Sequence, residues 1–358
     1  MRIGLIFGGR SVEHEVSVAS ARTVARGLRA ARHDVIPLGI GPDGCWIDRV
    51  TARRALDGEL SCLPAGGVPI RTTLSPLLEL DVEAIFPIVH GTWGEDGTLQ
   101  GLCEMLDIPY AGAGVAASAI AMDKVLCKHV LRSNGIPVVD AEVVTREDLE
   151  HDEVATLARL ARLTPPVFVK PAVGGSSVGV SRVDHTGGFV AAIREALHFD
   201  DRLLVEQGIV GRELECAVLG HRRLGASVIG EIVPGRDFYD YADKYLDDTA
   251  RLLAPATVPE ALDRRIRELS VAAFSAIGGH GMARVDFLLR GDDELYVNEI
   301  NTHPGFTDIS MYPRLWGLSG VPLPDLVDRL VAIALERHAD RHRLDSGIKA
   351  WLASLAAR

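Results

Sequence analysis

Two alternating apolar runs around a charged, glycine-containing break constrain this chain more than any other stretch: ARVDFLL, RGDDE and LYVNEIN, residues 283–301. Strand patterning on both sides of a short polar break predicts an antiparallel β-hairpin. With the turn centred between Asp292 and Asp293, Asp286 lies opposite Glu299 and Arg284 lies opposite Asn301. Opposed residues share one face of a hairpin, with Cβ atoms about 5 Å apart. Val285 and Ile300 then point the other way. A slip of one residue would break this arrangement, so it depends on that turn. Two carboxylates this close repel unless a cation lies between them or one is protonated. Mg²⁺ is a natural occupant, a hard cation that takes oxygen ligands and bridges to phosphates, and Asn301 offers a neutral oxygen beside it. Arg284 cannot be a ligand, but it can neutralise charge that develops nearby. Taken alone, the hairpin also fits an ion cluster on a solvated face.

Upstream, strand and helix patterns alternate. RIGLIFGG is a short apolar strand entering a glycine turn, and SVEHEVSVASARTVARGLRAA reads as a helix with Ser11 a candidate N-cap. DVIPLGIG and VEAIFPIVHG are further strands, and GTLQGLCEMLDI is a helix. This β-α-β order predicts a parallel sheet with helices on its faces. Residues 45–80 are the least patterned and read as a loop-rich or hairpin excursion. A helix over 123–134, ended by Gly135, opens a second unit of strands, a glycine-rich loop and a helix that closes near residue 210. The remainder carries strands, a polar-aromatic loop at 236–252, a helix near 259–278, the hairpin, and a final helix at 322–338. The expectation is α/β and α+β architecture in three parts, 1–122, 123–209 and 210–358.

With 358 residues, 47% of them hydrophobic and 24% charged, the chain has ample core for such a plan. A net charge of −11 argues against a general nucleic-acid or membrane surface, although local lysines can still form a pocket for an anion. The five cysteines (Cys45, Cys62, Cys103, Cys127, Cys216) are scattered, odd in number and without a CxxC. They predict reduced, mostly buried thiols rather than a disulfide framework or a cysteine zinc site. The start MRIGLIFGGR lacks the features of a signal peptide, and no apolar run approaches the roughly 20 residues needed to span a bilayer. A cytoplasmic protein is expected.

KPAVGGSSVGV, residues 170–180, supplies the pocket for an anion. Gly174, Gly175, Ser176, Ser177 and Gly179 let backbone N–H groups converge on an anion, and the hydroxyls add donors. The stretch is not a P-loop, and a plain flexible hairpin tip would have a similar composition. Lys170 ends the apolar strand VFVK, where a lone ammonium needs an anion, and Lys124 is a second lysine at the start of the unit. The stretch LVEQGIVGRE supplies Glu206, Gln207 and Glu213 at the end of a strand, where they suit an adenine amino group and a ribose.

In this order the pieces resemble the D-alanine–D-alanine ligases of the ATP-grasp superfamily. The resemblance runs from GGRSVEHEVS through HGTWGEDGTLQG, MDK, VKPAVGGSSVGV, FYDYADKY and ARVDF to NEINTHPGFTDISMYP. It implies an ATP-grasp fold with an N-terminal parallel-sheet domain and ATP held between two α+β domains. It further implies Mg²⁺ (or Mn²⁺), two ions, at Asp286, Glu299 and Asn301. Lys124, Lys170 and Lys244 would hold ATP phosphates beneath the loop of Ser176 and Ser177. Glu206 and Ile209 would face adenine, and Glu213 the ribose. DFYDYADKY would be a closing lid, with Tyr245 joined to Ser176 and Glu13. Glu13 would hold the ammonium of the first D-alanine, near His90. Arg284 and the Gly305 N–H would stabilise the tetrahedral oxyanion, and Ser310 and Met311 would hold the second amino acid.

The implied reaction is attack of one D-alanine carboxylate on the γ-phosphorus of ATP, then displacement of phosphate by the amine of another. A tyrosine-bearing lid favours an amine acceptor over a hydroxy acid, with D-serine and D-lactate the nearest rivals. The family also implies a homodimer acting on small molecules, with no nucleic acid and no membrane. Two letters depart from the family pattern: His303, where a small or apolar residue is expected, and the bulky Trp93.

Overall fold

Strand β1 (Arg2–Gly8) is buried from Ile3 to Gly8, as a strand covered on both faces must be. In the computed structural model, which describes residues 1–235 and 251–356, it pairs in parallel with β2 (Asp34–Ile40) and β5 (Ala84–Pro87). The excursion at 45–80 adds antiparallel β3 (Cys45–Ile47) and β4 (Val68–Pro69), giving the order β4-β3-β2-β1-β5. At the end of β1, Gly8 has φ +92°. A Cβ there would lie 2.1 Å from the Ile40 carbonyl oxygen, so this turn admits only glycine. The next helix starts at His14 with Glu13 at the N-cap position. Ser11, the expected cap, instead donates its hydroxyl to the His90 carbonyl at 2.6 Å.

The second sheet is antiparallel, in the order β6-β9-β7-β8. Its strands are β6 (Ala141–Thr145), β7 (Val167–Pro171), β8 (Ser181–Val183) and β9 (Arg202–Gln207). One face packs on the helices Glu153–Leu160 and Phe189–Ala196, forming a core of its own around Val144, Leu160, Val167, Val169, Ile193 and Val205.

The third sheet has the order β12-β11-β10-β13-β14 and is antiparallel throughout. It comprises β10 (Arg212–Gly220), β11 (Leu224–Val233), β12 (Arg251–Leu253), β13 (Gly281–Arg290) and β14 (Glu294–Asn301). Val285, Phe287 and Leu289 face Ile266 and Phe274 of the helix Glu260–Ala276. The helices Val115–Met122 and Lys124–Ser133 join this core through Ala117, Ala121, Cys127 and Leu131. The packing therefore runs through the expected boundary at 122/123.

Ala217, Leu219 and Met282 share another core with β1, the helix His14–Ala30, Phe306 and Tyr312. The last helix also packs there. It spans Leu323–Ala356, well past the expected 322–338, yet its buried residues end at Ala334. No helix among the described residues is long and apolar enough to cross a membrane. All five cysteines are free thiols, and Cys62 alone is exposed.

Candidate active site

The hairpin forms, with Arg284 opposite Asn301 and Asp286 opposite Glu299 as its alternation predicts. The turn differs. Arg290 pairs with Glu294 and Leu289 with Leu295, which centres the turn on Asp292. A β-bulge at Asn298, between the pairs Phe287–Val297 and Asp286–Glu299, then restores the expected register. The sequence contains the reason. Leu295 and Val297 alternate, but the next buried residue is Ile300, so the apolar phase slips by one. The bulge absorbs that slip and sends both Asn298 and Glu299 to the cleft face.

β10 lies on the other side of β13, with Glu215 opposite Asp286 and Glu213 opposite Leu288. Three carboxylates, Glu215, Asp286 and Glu299, therefore stand in one row across β10, β13 and β14. The Arg284 guanidinium forks onto both oxygens of Asp286 at 2.7 Å each and reaches Glu215 Oε1 at 3.1 Å. One arginine against three carboxylates leaves excess negative charge. That row, with the Asn301 amide beside it, is an all-oxygen donor set of the kind Mg²⁺ and Mn²⁺ take.

Facing this row, β7 alternates so that Val167, Val169 and Pro171 are buried while Phe168 and Lys170 turn to the cleft. Lys170 Nζ lies 2.5 Å from Glu206 Oε2, and Lys128 Nζ lies 2.7 Å from Glu206 Oε1. Burial alone would raise the Glu206 pKa, but Lys170 and Lys128 outweigh it and hold the group down at about 2. The same carboxylate keeps Lys170 charged against its own desolvation. Gln207 spends its amide on the backbone of Thr164 and Pro166. Lys124 opens its helix directly after Asp123, whose carboxylate caps it by accepting from the N–H groups of Val125 and Leu126. Its ammonium donates to the Gly174 carbonyl at 2.6 Å.

In the glycine-rich loop, Ser176 and Ser177 both take left-handed backbone, at φ +51° and +58°. Two adjacent non-glycine residues there cost strain that the surroundings must hold. Part of that hold is the Ser176 hydroxyl, which donates to Glu13 Oε1 at 2.5 Å. Glu13 makes no capping bond to its own helix, so its carboxylate faces the cleft instead.

His90 is buried at the end of the β5 segment, with Glu95 Oε1 and the His303 carbonyl both 3.1 Å from Nδ1 and Ser20 Oγ 3.0 Å from Nε2. Burial works against charge on this ring, but Glu95, Glu13 and the His303 carbonyl outweigh it and raise its pKa. His303 is entirely buried. Its N–H donates to Asn301 Oδ1 at 3.2 Å, so its backbone links the donor set to His90. Trp93 does not line the cleft: half exposed, it stacks beneath the Arg10 guanidinium at 4.6 Å. Ser310 Oγ accepts from the Thr307 N–H at 2.9 Å, and a Cβ on Gly305 would come within 2.8 Å of it. Met311 packs over Gly230 at the start of the helix Met311–Leu318.

Most of these groups meet in one cleft of about 740 Å³, which Trp93, Lys128 and His303 do not line. It is lined by Glu13, His90, Lys124, Lys170, Ser176, Ser177, Glu206, Gln207, Ile209, Glu213, Arg284, Asp286, Glu299, Asn301, Gly305, Ser310 and Met311. Lys244 and Tyr245 lie outside the described residues. Sequence reasoning missed Glu215, Glu95, Lys128 and Asn298. Glu213 and Glu215 alternate on one strand, which was a readable signal. Lys128 lies one turn beyond Lys124 on the same helix, which was another.

Two antiparallel α+β units closing on a cleft of lysines and carboxylates, beside a parallel-sheet unit, define the ATP-grasp architecture. A structure titled D-alanine-D-alanine ligase from Coxiella burnetii matches at TM-score 0.84 and 37% identity, covering 99% of each chain. The VanG D-Ala:D-Ser ligase from Enterococcus faecalis matches at 0.80 and 32%, over 93% of this chain and 99% of that one. Family models described as D-ala D-ala ligase N-terminus and C-terminus match residues 2–113 and 130–332. A D-alanine–D-alanine ligase of a Mycobacterium species is 46% identical over 363 residues, covering 94% of this chain and 96% of its own. That of Halothermothrix orenii is 43% identical over 338 residues, covering 94% and 98%. The chain belongs to the D-alanine–D-alanine ligase family.

Proposed function

We propose that the chain joins two D-alanines at the expense of ATP, for peptidoglycan precursor synthesis, as a cytoplasmic homodimer whose three parts are 1–122, 123–209 and 210–358. The observation that carries this reading is the single cleft in which a lysine set, a glycine-rich loop and a carboxylate row face one another. Phosphoryl transfer needs charge neutralisation and alignment more than covalent help. Lys124 and Lys170 offer the charge for the ATP phosphates, together with Lys244 of the lid. Glu206, Gln207, Ile209 and Glu213 line the purine and ribose end; because the Gln207 amide is spent on Thr164 and Pro166, its backbone is what meets adenine. Asp286, Glu299 and Asn301, with Glu215 beside them, would hold Mg²⁺, which supplies electrostatic neutralisation of phosphate charge.

Glu13 and His90 hold the first D-alanine. Its carboxylate takes the γ-phosphoryl group of ATP, giving an acyl phosphate and ADP. The amine of the second D-alanine, positioned by Ser310 and Met311, attacks that carbonyl. Arg284 and the Gly305 N–H receive the oxyanion, and phosphate leaves. Ser176, Tyr245 and Glu13 would close the site against water, which would otherwise consume the acyl phosphate. The test is incubation with ATP, Mg²⁺ and D-alanine, D-serine or D-lactate, with products identified by mass. D-alanyl-D-alanine as the preferred product is expected. A preference for a mixed product would reassign the acceptor, and no turnover with any of the three would overturn the reading.

A further inference from the structure

We propose that Asp107, His338 and His342 form a second metal site, selective for a transition metal of the zinc class and separate from the ligase cleft. The two histidines lie one turn apart on the helix Leu323–Ala356, so their rings share a face. Asp107 comes from the parallel-sheet unit, just after the helix Thr98–Met105, in left-handed backbone at φ +55°. His342 Nε2 lies 2.9 Å from Asp107 Oδ1 and 3.0 Å from His338 Nε2, and His338 Nε2 lies 3.6 Å from the same oxygen. Tetrahedral zinc with bonds near 2.1 Å separates its ligand atoms by about 3.4 Å, and the three edges bracket that value. Among the described residues this is the one group of three His, Cys, Asp or Glu side chains whose donor atoms converge so closely.

The chemistry of the three atoms points the same way. Each ring nitrogen has a single site, either a proton or a lone pair. One proton between two nitrogens and a carboxylate satisfies them only in part, whereas a metal ion takes all three lone pairs at once. Two imidazoles and one carboxylate suit zinc, copper or nickel and not the magnesium of the main cleft. The nearby positive charges are engaged elsewhere. Arg341 pairs with Glu104, and Arg337 donates to the Gly112 carbonyl and lies over the Tyr110 ring. His338 also borders a cavity of about 210 Å³, with room for a water as fourth ligand. A bound ion would clip the last helix to the parallel-sheet unit at a point where the helix has no apolar burial, since its buried residues end at Ala334.

The full chain, with excess Mg²⁺ to occupy the ligase site, would be titrated with Co²⁺ and followed by visible absorption. One equivalent giving the intense bands of tetrahedral cobalt, displaced by Zn²⁺, is expected. His338→Ala and Asp107→Asn should each abolish the bands. His342→Gln, at a half-exposed ring where folding is not at risk, should do the same while D-alanine turnover in Mg²⁺ is unchanged. Zn²⁺ should raise the melting temperature of the parent and leave the His338→Ala/His342→Gln double variant unmoved. No tetrahedral bands in the parent, or bands undiminished in the double variant, would overturn the proposal.

Discussion

At the scale of single residues, charge placement separates the groups that hold the fold from those that act in the cleft. Glu299 stands in a row of carboxylates whose mutual repulsion offsets its attraction to Lys170 and Arg284, so the fold gains little from its charge. Glu299→Gln keeps the shape and removes one anionic ligand. Turnover should fall by more than about 100-fold, since losing even an outer partner of a ligand costs 10–100-fold. The melting temperature should hold or rise slightly. Phosphate release and a thermal scan on the same preparation check both. His303 is the opposite case. Burial first, then the charges of His90 and Arg337, push its pKa down to about 3. In the fold it stays neutral to that pH, while the unfolded chain takes up a proton near pH 6.5. The unfolded state therefore binds more protons between those values, and stability falls with falling pH by up to about 1.4 kcal/mol per unit. His280, pushed to about 4 mainly by burial, acts in the same sense, so the comparison has to be between variants. His303→Leu should remove about one proton from the pH slope of denaturant stability between pH 6.5 and 4.5. An unchanged slope would show that the ring is not held neutral.

At the scale of elements, the hairpin shows what a sequence can and cannot reveal. Its pairing was readable because the alternation is local and the two runs are adjacent. The bulge was readable in principle, from the phase slip between Val297 and Ile300, but an assumed turn centre hid it. The neighbour of β13 was not readable. β10 ends some 60 residues earlier, and nothing in either strand names the other, so Glu215 entered the carboxylate row only through the sheet order. The two serines in left-handed backbone were likewise hidden, since composition alone fits a flexible tip. The bulge carries its own prediction. Deleting Asn298 leaves Glu299 next to Val297 and still opposite Asp286, so the chain should fold with its apolar faces intact. It loses the added local twist and one cleft-lining amide. Misplacement of a reacting group by about 1 Å costs on the order of 10²-fold, and turnover should fall by about that factor. A deletion variant with parental rates would show that the bulge only accommodates the turn.

For the whole molecule, the distribution of cores decides how the cleft can close. The parallel-sheet unit shares one core with the third sheet and the last helix, through Phe306, Tyr312 and Leu326. The second sheet has a core to itself. Apart from a small apolar contact of Ala172 and Leu204 with Val125 of the helix Lys124–Ser133, that packing is separate from the other cores, so the sheet can move against the rest at little apolar cost, and lids of this kind belong to the least stable parts of a fold. The ties to the rest include polar contacts: the Ser176 hydroxyl on Glu13, the Lys124 ammonium on the Gly174 carbonyl, and the ion pairs Lys128–Glu206 and Arg202–Asp123. A hydrogen bond to a charged acceptor contributes about 1.5–3 kcal/mol, which is roughly 10–150-fold in a rate. If the Ser176–Glu13 bond belongs to the closed, reacting form, Ser176→Ala loses that factor from kcat/KM while the cores are untouched. The expected result is a fall of 10-fold or more in kcat/KM, by the same reasoning, with a melting temperature lower by no more than a few degrees, since the cores are untouched. Glu13→Gln should lose at least as much, since that carboxylate would also meet the first D-alanine, and the double variant should lose no more than the worse single one, because the pair acts as a unit. Losses that simply multiply in the double variant would place the two side chains in separate roles and leave the closing of the second sheet to other contacts.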